Sequence, residues 1–144
     1  MESNTLHRGR LIDHILLVVE DFEASKNFYT AVLSALEIPV ITTANEYLLA
    51  DELVLASRHS PEAAGKLTRR HHLAFQARDR DMVDAFYHAA LTHGGRDNGA
   101  PGERHYHPGY YAAFVLDPQG NIIEAVYHGK AERSAGSVAI SFTQ

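Results

Sequence analysis

Two stretches of the chain decide the fold, because they carry the same pattern twice. The first is DHILLVVEDFEASKNFYTAVL (residues 13–33), and the second is HHLAFQARDRDMVDAFYHAAL (residues 71–91). Aligned at an offset of 58 residues, they share six identities, namely His14/His72, Asp21/Asp79, Phe28/Phe86, Tyr29/Tyr87, Ala31/Ala89 and Leu33/Leu91. Self-similarity at a fixed offset indicates an internal duplication. The sequence therefore predicts two copies of one structural unit.

Each copy begins as a strand followed by a helix. Residues 11–19 form an apolar, β-branched run typical of a strand, and Asp21 is placed to cap a helix. Apolar residues then recur at helical spacing over residues 22–36. The corresponding features of the second copy are a strand at 72–77, an N-cap at Asp79 or Asp81, and a helix at 82–93.

Three shorter strand candidates follow each helix. In the first copy they are 38–43, 47–50 and 52–57, and in the second they are one strand within 99–107, then 111–116 and 121–127. We therefore predict an α+β fold of two tandem βαβββ modules. The predicted parts are a first module at 10–57, a linker at 58–69, a second module at 70–128 and a C-terminal extension at 129–144. Within the extension, residues 138–142 form either an added strand or a frayed tail.

Composition narrows the class of protein. The chain has 144 residues, of which 45% are hydrophobic, and a formal charge of −5, which disfavours a nucleic-acid partner. The absence of cysteine excludes disulfides and thiolate-bound metals. The first ten residues show no secretory pattern, and no apolar run reaches the length of a membrane span. These features predict a cytoplasmic protein with neither a nucleic-acid nor a membrane partner.

The repeated histidines predict a metal site. Strand residues alternate between faces, so His14 and His72 occupy equivalent faces of the first strand in each copy. Glu124 lies within the otherwise apolar strand 121–127, where a carboxylate is costly unless it is paired or binds a metal. Two imidazoles and one carboxylate suit Zn, Fe, Ni, Co or Mn and leave coordination positions open. His71 is the competing candidate for the second histidine, but it aligns with Asp13 on the other face.

A long segment of the second copy carries further polar groups. The spacing from the helix to the last strand is about 11 residues longer there, and the excess falls in residues 94–111. Long loops in compact domains tend to be functional, although this one is equally consistent with a solvated polar loop. The candidate acid–base groups are His107 and Tyr111, and the candidate substrate-binding residues are Arg104, His105, Tyr110 and, on the first strand of the copy, Gln76.

These residues resemble the vicinal oxygen chelate superfamily, which includes glyoxalase I, fosfomycin- and bleomycin-resistance proteins and extradiol dioxygenases. The motifs are DHI at 13–15 with FY at 28–29, HLAF at 72–75, and DPQGN at 117–121 followed by Glu124. The resemblance covers roughly residues 10–128. It implies an open barrel of paired modules around a divalent metal held by His14, His72 and Glu124. It also implies a homodimer, in which the modules pair either within one chain or across two chains.

Departures from the superfamily patterns favour some activities over others. Aligning residues 53–56 with 122–125 places Leu55 opposite Glu124, where glyoxalase I has a second carboxylate, so lactoylglutathione lyase activity is not expected. A slip of register would make Glu46 or Glu52 the missing base. Leu16 replaces the hydroxyl residue typical of fosfomycin enzymes. The sequence thus favours a metal-dependent enzyme acting on a small oxygenated substrate. The alternatives are an extradiol-type dioxygenase, or a non-catalytic protein that binds a small molecule or an antibiotic.

Overall fold

The computed structural model describes residues 5–9, 12–43, 46–63, 65–67, 70–130, 132 and 136–141. In chain order its elements are β1 (Thr5–Arg8), β2 (Ile15–Val19), α1 (Phe22–Ala35), β3 (Ile41–Thr43), β4 (Tyr47–Ala50), β5 (Leu53–Ser57), β6 (His72–Gln76), α2 (Arg80–Thr92), β7 (Arg96–Asp97), β8 (Gly102–Glu103), β9 (Tyr111–Leu116), β10 (Ile122–Tyr127) and β11 (Val138–Ser141). Position 11, where the first predicted strand begins, and the predicted boundaries 10, 69 and 144 lie outside the described residues.

The prediction of two βαβββ modules is confirmed. The first module forms a sheet in the order β2-β5-β4-β3, and the second forms one in the order β6-β10-β9-β7, with β8 also paired to β9. In each module the first strand runs parallel to the last one, while the remaining pairs are antiparallel. The strand expected within 99–107 is the short β8, and a further short strand, β7, precedes that range. An added strand, β11, pairs with β1.

The two helices begin in the same way, as the repeat predicts. The side chain of Asp21 accepts a hydrogen bond from the backbone N–H of Ala24, and that of Asp79 accepts one from Met82. Because Asp79 rather than Asp81 is the cap, α2 begins two residues earlier than the predicted 82–93. An N-terminal carboxylate satisfies helix N–H groups that have no partner within the helix.

The helices lie between the two sheets. α1 contacts α2, α1 also packs on β5, and α2 packs on β9 and β10. One hydrophobic core contains residues of both modules, including the fully buried Phe28 and Phe86 at repeat-equivalent positions. Each sheet therefore buries one face against a helix and turns the other face away from the core. On β6 this outer face carries His72 and Gln76, both exposed.

A buried hydrogen bond joins the modules. The Tyr29 hydroxyl on α1 donates to Asp117 Oδ2 at 2.6 Å, and Asp117 begins the turn between β9 and β10. The same carboxylate accepts hydrogen bonds from the backbone N–H groups of Gln119 and Asn121. Burial, together with the Asp117 charge, raises the pKa of Tyr29 well above its ordinary value. The turn that precedes the Glu124 strand is thus anchored to the helix of the first module.

Candidate functional site

Glu124 is the centre of a polar site on the outer face of the second sheet. It is only 3% exposed, although β10 is otherwise apolar. Its Oε1 lies 2.8 Å from His72 Nε2, and its Oε2 accepts a hydrogen bond from the Tyr110 hydroxyl. β6 and β10 are parallel neighbours with His72 opposite Ile122, which brings the imidazole diagonally over Glu124. A buried carboxylate is stable only with such partners.

Tyr110 covers the carboxylate from the loop that precedes β9. Burial, and then the hydrogen bond to Glu124, raise the pKa of Tyr110 to about 12, while the positive charge of Arg104 opposes the rise. The phenol therefore stays protonated through the neutral range and acts as a donor to Glu124. Of the adjacent histidines, it is His72 whose imidazole contacts the carboxylate. The backbone of His71 bonds to Asn121 and Ile122 instead.

His14 does not join this site within one chain. It is exposed just before β2, and its Nδ1 lies 2.6 Å from Asp13 Oδ1. Among the residues that the model describes, no group of three or more His, Asp or Glu side chains is placed to hold a metal ion. The model thus brings together two of the three predicted ligands, His72 and Glu124. The third ligand remains a prediction.

The counterpart of Glu124 in the first module is Val54, so the predicted alignment with Leu55 is wrong by one residue. In the parallel pair of the second module, Leu73 lies opposite Ile123. In the first module, its equivalent Ile15 lies opposite Leu53, which places Val54 where Glu124 stands. Leu55 belongs to the hydrophobic core on the helix side. The expectation of an apolar residue at this position is unchanged.

The loop before β9 is held against the end of β10 by two glycines. Gly109 and Gly129 have φ of 87° and 75°, and a Cβ atom on Gly129 would lie 3.0 Å from the Gly109 Cα. Only glycine permits this contact at that backbone conformation. The contact brings His107 next to His128, with 2.9 Å between His107 Nε2 and His128 Nδ1. Both imidazole rings lie 5.3 Å from the Tyr110 ring, centroid to centroid.

The remaining predicted residues divide between the two faces of the sheet. Arg104 lies on the outer face, with its guanidinium 5.2 Å from the Phe114 ring centroid, and His105 stacks on Tyr106. Gln76 is exposed at the end of β6.

Tyr111 is on the helix side. Its hydroxyl donates to Asp84 of α2 at 2.7 Å, and this hydrogen bond is the main cause of its raised pKa. Tyr110, and not Tyr111, is therefore the tyrosine at the Glu124 site, because successive residues around the start of β9 point to opposite faces.

Two residues of this region were missed by the sequence analysis. His128 lies four residues after Glu124, so the alternation of β10 places both on the same face. Phe114 carries the edge-on contact with His72, at 6.0 Å between ring centroids. Strand alternation would have indicated both residues. The pairing of His128 with His107 depends on the glycine contact, which has no sequence signature.

The chemistry of His72 and Glu124 suits a divalent metal. An imidazole nitrogen and a carboxylate oxygen 2.8 Å apart on neighbouring strands form two adjacent donors for Zn or for Fe, Ni, Co and Mn. The His72 side chain is 48% exposed, so solvent reaches the donor pair. A shallow groove of about 870 Å³ lies elsewhere, between α1 and α2, and contains none of the predicted ligands.

Comparison with known proteins identifies the family of the chain. Residues 11–125 match the model of the Glyoxalase/Bleomycin resistance protein/Dioxygenase superfamily. No functionally curated protein matches the chain. No helix among the described parts of the chain is long and apolar enough to cross a membrane.

Several solved structures share the fold. A glyoxalase/bleomycin resistance protein from Albidiferax ferrireducens is 27% identical, with a TM-score of 0.63, over 81% of this chain and 97% of that one. A glyoxalase-related enzyme from Fulvimarina pelagi is 20% identical, with a TM-score of 0.63, over 88% and 99%. A family enzyme from Burkholderia phytofirmans is 20% identical, with a TM-score of 0.60, over 79% and 95%. The chain belongs to the glyoxalase/bleomycin resistance/dioxygenase superfamily, which is the vicinal oxygen chelate superfamily.

Proposed function

We propose that the protein is a divalent-metal-dependent enzyme that acts on a small oxygenated substrate. The metal is held by His72 and Glu124 of one copy and by His14 of a second copy in a homodimer. The observation that carries the proposal is the buried Glu124 carboxylate, which contacts an exposed imidazole on an outward-facing sheet. Burying a carboxylate at that position destabilises the fold, and its use as a metal ligand would account for its presence.

The arrangement of the modules supports a site shared between two copies. The helices occupy the space between the two sheets, so the outer faces that carry the two halves of the ligand set point away from each other. Pairing the first module of one copy with the second module of another brings His14 towards Glu124. His14 immediately precedes β2, and His72 is the first residue of β6. Both strands are at the edges of their sheets. Edge strands and outward faces are surfaces that a second copy can cover.

The chain's own residues divide the remaining work. A bound divalent cation supplies Lewis-acid polarisation of substrate oxygen atoms. Tyr110 holds Glu124 in position through its hydroxyl proton. His107 sits beside Tyr110, and its imidazole can act as a proton donor or acceptor. Arg104, on the same face, is placed to attract a negatively charged substrate group, as a guanidinium does for carboxylates.

Metal titration of the purified protein tests this proposal. Protein depleted of metal is titrated with Zn, Ni, Co, Mn and Fe(II), and bound metal is measured together with the thermal midpoint. We expect one ion per chain and a rise in the midpoint for the wild type, and neither for Glu124→Gln, which keeps the side-chain shape. His71→Ala, the matched control, should behave as the wild type does. Equal metal affinity in Glu124→Gln and wild type would overturn the proposal.

A second candidate function is small-molecule binding without catalysis. It is favoured by one observation, namely that both Glu124 oxygens already have protein partners, His72 and Tyr110. A complete internal hydrogen-bonding arrangement is stable without a metal. The same titration separates the two functions, since a binding protein of this kind would show no metal-dependent stabilisation in the wild type.

A further inference from the structure

Five aromatic rings form a continuous cluster next to Glu124, and we name this set the aromatic cluster: His105, Tyr106, His107, Tyr110 and His128. Tyr110 is at its centre, with its ring centroid 4.9 Å from that of Tyr106 and 5.3 Å from those of His107 and His128. His105 stacks on Tyr106 at 5.2 Å, and His107 stacks on His128 at 5.1 Å. Tyr110 contacts the Glu124 carboxylate, and none of the five rings belongs to the hydrophobic core.

The cluster presents exposed aromatic rings to solvent. Tyr106 is 65% exposed, against 40% for the other exposed large hydrophobic residues among those described, Ile12 and Leu91. His105 and His128 are also exposed. A large exposed apolar surface is informative when it lies next to a functional group, since it favours a ligand that removes it from water. Glu124 is such a group, because Tyr110 contacts both Tyr106 and Glu124.

Two backbone contacts hold the surface in place. The backbone N–H of Arg104 donates to the carbonyl of Tyr110 at 2.8 Å, which closes the loop that carries four of the five rings. The contact between Gly109 and Gly129 then fixes this loop against the end of β10. A surface that is ordered before binding spares the ligand the entropic cost of ordering it.

The charge around the cluster selects the kind of ring. The backbone of Arg104 is hydrogen-bonded to that of Tyr110, and the Arg104 guanidinium lies over the Phe114 ring. Two of its N–H groups donate to the carbonyls of Ala100 and Glu103. The guanidinium carries further N–H groups in the fork geometry that binds carboxylates. A fixed positive charge beside the rings disfavours a cationic guest, and it favours a ring that carries negative charge.

We propose that the aromatic cluster is a subsite for a planar aromatic ring bearing a carboxylate or phenolate group. The ring stacks on the exposed Tyr106, and its negative charge lies towards Arg104. This inference deepens the proposed function, because it assigns a substrate class to the site at Glu124. It rests on the proposed function only in taking Glu124 as part of a metal site. Stacking itself requires no metal.

Binding of 2-naphthoate to the metal-depleted protein tests the proposal. The matched probe is decahydro-2-naphthoate, which has the same charge and a similar size but no aromatic ring, and the charge control is 2-naphthylmethylammonium. We expect 2-naphthoate to bind more tightly than either. Tyr106→Ala should weaken 2-naphthoate binding by about two- to tenfold, the range expected for one aromatic pair. Tyr106→Phe, which keeps the ring, should restore it.

Three results would overturn the subsite: equal binding of the saturated acid, preferred binding of the amine, or unchanged affinity in Tyr106→Ala. Failure of the proposed function is recognisable separately. If metal binds equally to Glu124→Gln and wild type while 2-naphthoate still discriminates Tyr106→Ala from Tyr106→Phe, the metal site falls and the subsite stands. If metal binds as expected and 2-naphthoate binds Tyr106→Ala and Tyr106→Phe equally, the metal site stands and the subsite falls.

Discussion

The two modules share one architecture but differ at the position where the chemistry lies. Each has a strand, an Asp-capped helix and a sheet with the same strand order. His14 immediately precedes the first strand of its module, and His72 begins that of the other. In the second module the last strand carries the buried Glu124, whereas in the first module Val54 occupies the equivalent position. The comparison indicates that the two modules share the packing scaffold, whereas the proposed metal ligands are divided unequally between them.

The second difference is length. Val54 follows His14 by 40 residues, whereas Glu124 follows His72 by 52, so the second module has 12 more residues over the same part of the fold. These residues build β7, β8 and the loop that carries Tyr110 and His107. The added chain is what covers Glu124. The candidate site thus lies where an insertion and a polar residue coincide in one module of the repeat.

The largest expected effect concerns His14, the ligand of the module that lacks the carboxylate. A metal that binds only the folded protein at a hundredfold excess over its Kd stabilises it by about 2.7 kcal/mol. His14→Ala should abolish that gain as fully as His72→Ala does, although His14 does not contact Glu124 within one chain. Urea denaturation with and without Zn measures the gain. His71→Ala should retain it, and the loss of metal in that variant but not in His72→Ala would show that the strand register is wrong.

The next effect compares two tyrosines at equivalent repeat positions. Tyr29→Phe removes the hydroxyl that bonds the buried Asp117, and leaving a buried carboxylate short of a donor costs about 1–3 kcal/mol. Tyr87→Phe removes a hydrogen bond to the exposed Asp97 and should change stability by less than about 0.5 kcal/mol. Urea denaturation of the metal-free proteins provides both values. Equal losses of stability in the two variants would mean that the hydrogen bond between Tyr29 and Asp117 does not anchor the two modules.

A smaller effect is expected at alkaline pH from Tyr110. Its pKa is raised to about 12, so the folded protein keeps the phenol proton above the ordinary pKa of 10. The associated stability is fully present below pH 10 and is lost as the pH rises from 10 through 12. Absorbance titration of the phenolates in metal-free Tyr110→Phe should show one late ionisation fewer than the wild type. If the missing ionisation titrates near pH 10, the contact with Glu124 does not persist in solution.

The smallest expected effect concerns glyoxalase I activity, which we predict to be weak or absent. Because Val54 stands where glyoxalase I has its second carboxylate, the metal-loaded protein should show little or no turnover of the hemithioacetal of methylglyoxal and glutathione. The disappearance of the hemithioacetal, measured against a metal-only blank, checks this. Robust turnover would contradict the interpretation of Val54, and Glu52, in the turn just before β5, would then be the residue to test.

Sequence patterns predicted the modules well and the site in part. Repeat identity located His14 and His72, and strand alternation selected His72 over His71 as the residue that faces Glu124. The error at Leu55 came from aligning the last strands of the modules by composition alone, since apolar residues on adjacent positions differ only in the face that they occupy. Choosing Tyr111 over Tyr110 had the same cause. The glycine contact between Gly109 and Gly129 joins residues far apart in sequence, which no local pattern reveals.

Mixing two inactive variants tests the central claim most directly. His14→Ala and His72→Ala are each expected to bind no metal as homodimers, because every site lacks one ligand. In a heterodimer, isolated with two different affinity tags, the first copy contributes His72 and Glu124 and the second contributes His14, so one of the two sites is complete. The account predicts about one metal ion per heterodimer and none in either parent. A heterodimer that binds no metal would contradict a site shared between two copies.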